Sequence, residues 1–241
     1  VNRRAALVVA VAVLSAPAAG GPSSRVAWTI DTVRLVRSGD ARKGRILHND
    51  CSGCHGEVGD VDTPEVPNLA GQEPLYVYKQ LQDYKSKSRE SAMMSEAAST
   101  LSDRDMADLA AFYAAQKPSY TAGAGRQPDG AIPGLVSRGD GIRLIPACDA
   151  CHGRRGAGNP TFYGMPGLRN QKELDLSYQL TTFRSGERGN DVYRVMRDIS
   201  KRLTDAEIAS LAAYYAGAAG KPAGSAAGRP EEKSPPAQAK R

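Results

Sequence analysis

The chain is poor in sulfur, imidazole and large aromatic rings. Its 241 residues include four cysteines, three histidines, three phenylalanines and one tryptophan. No stretch alternates apolar and polar residues long enough to make a half-buried strand, so no βαβ pattern is found, and with it no thioredoxin-like dithiol site. Dense basic helices and aromatic platforms are missing too, which argues against nucleic acid as a partner despite a net charge of +6. The apolar run Ala5–Leu14 is too short to cross a bilayer, which takes about 20 residues, and no other segment is more apolar. That run follows Arg3 and Arg4 and precedes Ala16 and Ala18. This is the order of charge, apolar core and small-residue cleavage site in a secretory signal. Residues 1–20 are therefore expected to be a signal peptide, or an anchor if left uncleaved.

The four cysteines all fall in two copies of one pattern: CSGCH at 51–55 and CDACH at 148–152. Three chemistries use a Cys-x-x-Cys pair: dithiol exchange, zinc binding and covalent haem attachment. Only the last requires histidine at the next position. The thiols of Cys51 and Cys54, and of Cys148 and Cys151, would add to haem vinyl groups as thioethers. His55 and His152 would become axial iron ligands. A four-cysteine zinc site would leave both histidines as coincidences, and two structural disulfides would be strained at this spacing. Two covalently attached haem c groups are the expected cofactors. Together with an export signal they place the protein in the periplasm.

Aligned on these motifs, the chain is a duplication. PNLAGQ (67–72) pairs with PGLRNQ (166–171), YKQLQDYKSKSR (78–89) with SYQLTTFRSGER (177–188), and residues 94–118 with 196–222. Gly44 pairs with Gly141. Helical spacing is clear in the last segment of each copy. Met106, Leu109, Phe112 and Tyr113 follow Ser102, and Ile208, Leu211, Tyr214 and Tyr215 follow Thr204, which forms a capping box with Glu207. A middle helix is marked by Leu75, Tyr78, Leu81 and Tyr84, and less fully by Leu174, Leu180 and Phe183. A short helix is expected to run into each Cys-x-x-Cys-His. The predicted fold is all-α. It comprises a signal (1–20), an N-terminal extension (21–38) in which Trp28, Val33 and Val36 dock, a first domain (39–118), a Gly/Pro-rich linker (119–135), a second domain (136–217) and a disordered basic tail (218–241). Over 21–120 there are 12 basic and 14 acidic residues, and over 121–216 there are 13 and 10. Ordinary solvated surface explains this asymmetry, and separate docking faces for two partners are a second use of it.

The sixth iron position decides whether such a site moves electrons or binds a substrate, and a thioether sulfur closes it. Met94 lies seven residues before Leu101 and Met196 seven before Leu203, each expected on a loop ahead of the capped last helix. Met93 is the rival in the first copy. The duplication favours Met94, because the second copy offers only Met196. Met106 pairs with Ile208 and reads as core. Met165 reads as a loop or haem-edge contact. His48 pairs with Ile145 and reads as a non-ligand. Pro67 lies twelve residues after His55, and Pro166 fourteen after His152. Each either supplies a carbonyl that fixes the imidazole tautomer or simply ends a loop.

CSGCHGEVG, PNLAGQ, YKQLQDYKSKSR and LSDRDMADLAAFY are similar to the diheme cytochrome c4 family of class I c-type cytochromes, over about residues 40–118 and 138–217. The resemblance implies two class I cytochrome folds in pseudo-twofold contact, each wrapped around one covalent haem. It implies ligand pairs His55–Met94 and His152–Met196, with Pro67 and Pro166 giving carbonyls to the histidines. It also implies periplasmic electron transfer from a quinol-oxidising complex toward a terminal oxidase, and related diheme subunits make a dehydrogenase a second candidate donor. With no other segment apolar enough to cross a bilayer, membrane association is expected only through partners or an uncleaved N-terminus. The expected role is an electron carrier rather than an enzyme. The alternatives are a cytochrome subunit of a periplasmic dehydrogenase and a diheme peroxidase-type enzyme. The Trp28 segment and the basic tail depart from the family core, and RNQ replaces AGQ in the second copy, which argues against identical haem surroundings.

Overall fold

The computed structural model describes residues 28–118, 133–159, 164–169 and 171–217. The expected signal, most of the linker and the expected tail lie outside the described residues. The described secondary structure is helical, with one isolated antiparallel bridge between Asp140 and Ile145. No described helix is long and apolar enough to cross a membrane.

The first half contains α1 (Ile30–Arg37), α2 (Ala41–His48), α3 (Ser52–His55), α4 (Pro74–Lys85), α5 (Ala92–Ser99) and α6 (Asp103–Ala115). The second contains α7 (Gly134–Ser137), α8 (Cys148–His152), α9 (Glu173–Ser185), α10 (Val195–Ser200) and α11 (Asp205–Gly217). Helix α6 is the centre of the first half and packs on α1, α2 and α4. Its contact with α2 is backbone-close: a Cβ on Gly44 would stand 2.0 Å from the carbonyl oxygen of Asp108. Val36, Leu75, Tyr78, Met106, Leu109, Phe112 and Tyr113 fill that core, with Trp28 and Val33 against it. Val36 is thus part of the first-half core, with Trp28 and Val33 packed on it, residues 21–27 of the expected extension lie outside the described residues, and Met106 is core. In the second half Leu135, Val136, Ile145, Leu176, Leu203, Ile208, Leu211, Tyr214 and Tyr215 form a separate core. Burying each large side chain of this kind contributes about 1.5–3 kcal/mol.

Both final helices begin with reciprocal caps. Thr204 and Glu207 form the expected box: Thr204 N–H donates to Glu207 Oε2 at 2.9 Å, and Glu207 N–H to Thr204 Oγ1 at 3.2 Å. Ser102 and Asp105 do the same at 2.8 and 3.1 Å, so the shorter aspartate also reaches. Glu207 is held further by Arg143, whose Nη2 and Nη1 donate to its two oxygens at 2.7 and 3.0 Å. The guanidinium, then the cap, hold the Glu207 carboxyl down to about 2. A folded-state pKa below the unfolded value means the stabilisation is complete above the ordinary glutamate pKa of about 4.3 and is lost as pH falls through the folded value. Glu207→Gln is thus expected to flatten the acid limb of the stability curve, read as urea midpoints between about pH 2 and 6. A variant with the parental slope would remove this linkage.

Three expectations need correction. The short helix into the motif exists only in the first half, as α2. In the second, Pro146 disfavours helix at Ile145, and residues 140–145 close a turn through the bridge instead. Gly141 accordingly has nothing within 4 Å of a Cβ and does not play the packing role of Gly44. Leu174 is 52% exposed, and Leu176 takes its core position. Met94 and Met196 lie on helices α5 and α10 rather than loops. Ser91 starts α5 by accepting the Met94 N–H on its hydroxyl at 3.3 Å.

The halves meet through polar groups. Lys79 and Asp83, one turn apart on α4, form an ion pair whose side chains are 4% and 0% exposed. Asn190 of the second half closes it, accepting from Lys79 Nζ on its carbonyl at 2.5 Å and donating from Nδ2 to Asp83 at 2.8 Å. Nearby, Arg89 and Arg188 both donate to the amide oxygens of Gln80 and Gln179. The Trp28 indole lies against Gly164 of the second half, where a Cβ would come within 2.6 Å of it.

Candidate functional site

Each Cys-x-x-Cys-His is a single helical turn, α3 or α8. In the first, the N–H groups of Cys54 and His55 both point at Cys51 O, at 3.2 and 3.0 Å. Four-residue spacing then puts Cys51 and His55 on one face. Both turns stop at glycine, Gly56 with φ 74° and Gly153 with φ 75°. A Cβ on these residues would lie 2.4 Å from Asp60 O and 2.0 Å from Gly158 O. The chain must leave in the left-handed region with no side chain.

Both imidazoles are buried, at 7% exposure. His55 Nδ1 donates to the carbonyl oxygen of Pro67 at 3.2 Å, and His152 Nδ1 to that of Pro166 at 2.8 Å. A carbonyl only accepts, so Nδ1 carries the proton and Nε2 keeps its lone pair for a metal. Burial lowers the pKa of both rings against the raising effect of the carbonyl bonds, which favours the neutral, ligating form. All four cysteines are free thiols. Burial pushes Cys51 up, and Cys148 up to about 11. Among the described residues no three His, Cys, Asp or Glu side chains converge on one point. Two thiols and one buried, tautomer-fixed imidazole per half fit the donor set of haem c.

The remaining sequence candidates lie on the following elements. Met94 is half-buried on α5, which packs on α4, whereas its neighbour Met93 is 68% exposed. Met196 is half-buried on α10, which packs on α9. Met165 is half-buried beside Pro166. Both nitrogens of His48 are engaged: Nε2 donates to Glu57 O at 3.1 Å, so Nδ1 accepts from Tyr113 Oη at 3.0 Å. The equivalent Tyr215 donates instead to Asp149 Oδ1 at 3.4 Å. The two surroundings therefore differ at this position.

Two residues near the site carry no motif of their own, Gln72 and Gln171. Gln72 grips Gly167 of the second half, with Oε1 accepting its N–H at 2.8 Å and Nε2 donating to its carbonyl at 3.1 Å. Gln171 grips Asn68 of the first half in the same way, at 3.0 and 2.7 Å. The only sequence sign is that both repeats, PNLAGQ and PGLRNQ, end in glutamine.

A duplicated helical unit that presents two thiols and a proline-held histidine in each copy defines a c-type cytochrome with two covalent haem c groups, a protein of electron transfer. The Cytochrome c family model matches residues 41–116 and 139–218. Cytochrome c4 of Pseudomonas aeruginosa is 36% identical over 188 residues, 75% of this chain and 89% of that protein. The thiosulfate dehydrogenase electron acceptor of Stutzerimonas stutzeri is 34% identical over 196 residues, 80% of this chain and 88% of that one. The crystal structure of reduced recombinant cytochrome c4 from Pseudomonas stutzeri superposes with a TM-score of 0.64 at 33% identity, covering 74% of this chain and 98% of that one. The chain belongs to the cytochrome c4 family.

Proposed function

We propose that this protein is a periplasmic carrier of single electrons, with two domains at 39–118 and 136–217. Cys51, Cys54, Cys148 and Cys151 would bind the haems, and His55 with Met94 and His152 with Met196 would supply the axial ligands. The observation that carries this reading is the twofold repetition of a buried imidazole whose Nδ1 is held by a proline carbonyl. The bound groups supply a reversible Fe(II)/Fe(III) couple. Pro67 and Pro166 would orient the imidazoles, and the two methionine thioethers would close the remaining iron positions and favour the reduced state. A thioether at each iron would leave no position open to peroxide or oxygen, which supports an electron carrier over a peroxidase-type enzyme.

The donor is a quinol-oxidising complex or a dehydrogenase, and the acceptor a terminal oxidase. The dehydrogenase arm has specific support, because a chain 34% identical over 80% of this one is a thiosulfate dehydrogenase electron acceptor. A spectroscopic redox titration of the haem-loaded protein tests the assignment. Two low-spin haems with positive potentials that ignore carbon monoxide are expected. One high-spin, low-potential haem that binds carbon monoxide would move the enzyme reading ahead.

A further inference from the structure

The hydrogen bonds that hold each histidine continue across the junction between the halves. The peptide group joining Pro67 to Asn68 is used at both ends. Its oxygen accepts from His55 Nδ1 at 3.2 Å, and its N–H donates to Gln171 Oε1 of the second half at 3.0 Å. The peptide joining Pro166 to Gly167 repeats this in reverse. Its oxygen accepts from His152 Nδ1 at 2.8 Å, and its N–H donates to Gln72 Oε1 of the first half at 2.8 Å. Each histidine is thus one peptide group away from a glutamine of the opposite half.

Bonds at the two ends of one amide strengthen each other, because each increases its polarisation. A carbonyl whose N–H is engaged is the better acceptor for the Nδ1 proton. A more strongly held Nδ1 proton leaves Nε2 a better donor to the metal. Donation of this kind favours ferric iron and lowers the potential. The second-nitrogen contacts, Gln171 Nε2 to Asn68 O at 2.7 Å and Gln72 Nε2 to Gly167 O at 3.1 Å, fix the angle of each amide. The first-half loop has other anchors. Lys172 Nζ donates to Val66 O at 3.0 Å and also to Asn68 Oδ1, which accepts from Val61 N–H at 3.1 Å. Removing the Gln171 amide therefore alters the peptide bond without freeing the loop.

We propose that Gln72 and Gln171 are crossed positioning residues, each tuning the axial histidine, and so the haem potential, of the half it does not belong to. The inference rests on His55 and His152 being the axial ligands. Docking of the halves then becomes part of each redox centre, and an event that loosens the junction raises both potentials.

The test uses the haem-loaded full chain. Both midpoint potentials are measured in Gln171→Leu and Gln72→Leu, each haem being assigned to its half by the hyperfine-shifted NMR signals of its axial histidine. Gln171→Leu is expected to raise the potential of the first-half haem and move the His55 ring signals, leaving the second-half haem in place. Gln72→Leu should do the opposite. Gln171→Glu keeps an acceptor for the Asn68 N–H, so the first-half potential should stay at or below the parental value. Shifts confined to the haem of the mutated half, equal shifts of both, or none would overturn the proposal, as would an upward shift in Gln171→Glu matching Gln171→Leu. Parent spectra without two histidine–methionine signatures would instead remove the ligand assignment beneath it. With those signatures present and the crossed pattern absent, this inference alone falls.

Discussion

Met94→Ala is expected to lower the potential of the first-half haem by about 0.1–0.3 V, well inside the ~0.8 V over which axial ligation tunes haem iron, and to let its ferrous form bind carbon monoxide. A thioether sulfur stabilises Fe(II). Water or an empty position does not, and a position without sulfur admits small ligands. Met196→Ala should do the same to the second haem only. The control is Met93→Ala. Met93 is 68% exposed and Met94 half-buried on the same helix, so Met93→Ala should leave both potentials unchanged. Carbon monoxide binding in Met93→Ala rather than Met94→Ala would transfer the ligand role by one residue. Two inert single variants at Met94 and Met196 would end the assignment.

Asp83→Ala is expected to destabilise the protein by about 3–5 kcal/mol, the usual consequence of leaving one partner of a buried ion pair alone. Lys79 is the group left behind. Burial already lowers its pKa, outweighing the attraction of Asp83. Without the carboxylate its ammonium retains, among the described residues, a hydrogen bond to the Asn190 carbonyl, 2.5 Å away. Asn190 Nδ2 also loses its 2.8 Å bond to Asp83, so the junction weakens along with α4. A double variant, Lys79→Met with Asp83→Leu, should recover most of the loss, because no charge is then stranded in a dry site. Guanidinium unfolding of the haem-loaded protein, followed by far-UV circular dichroism, measures both. A single-variant loss below about 1 kcal/mol would place the pair in the class of weak surface bridges.

The motifs were legible because their chemistry is local. Cys51, Cys54 and His55 are spaced for one helical turn, and the structure makes that turn. Capping residues are equally local, and Thr204 with Glu207 closes as read. Where local patterns failed, a neighbour outside the pattern intervened. Pro146 replaces the helix before Cys148 with a turn. Leu174 fits the helical period of its segment, yet the second-half core takes Leu176. Ser102 with Asp105, by contrast, closes locally as a full capping box although aspartate is one carbon short of the usual partner.

By itself, the sequence determined the duplication, the all-α class and the two haem-attachment turns, because each is written in residue types at short fixed spacing. Only the tertiary structure decided how the halves join. Gln72 meets Gly167 across 95 positions and Lys79 meets Asn190 across 111. Lys79, Gln80 and Asp83 share α4 with the apolar residues that face its own core, and in the sequence they look like an ordinary solvated face. Polar side chains carry no periodic signal of burial. Which of them become a dry, paired junction depends on the complementary donors and acceptors that folding brings opposite them.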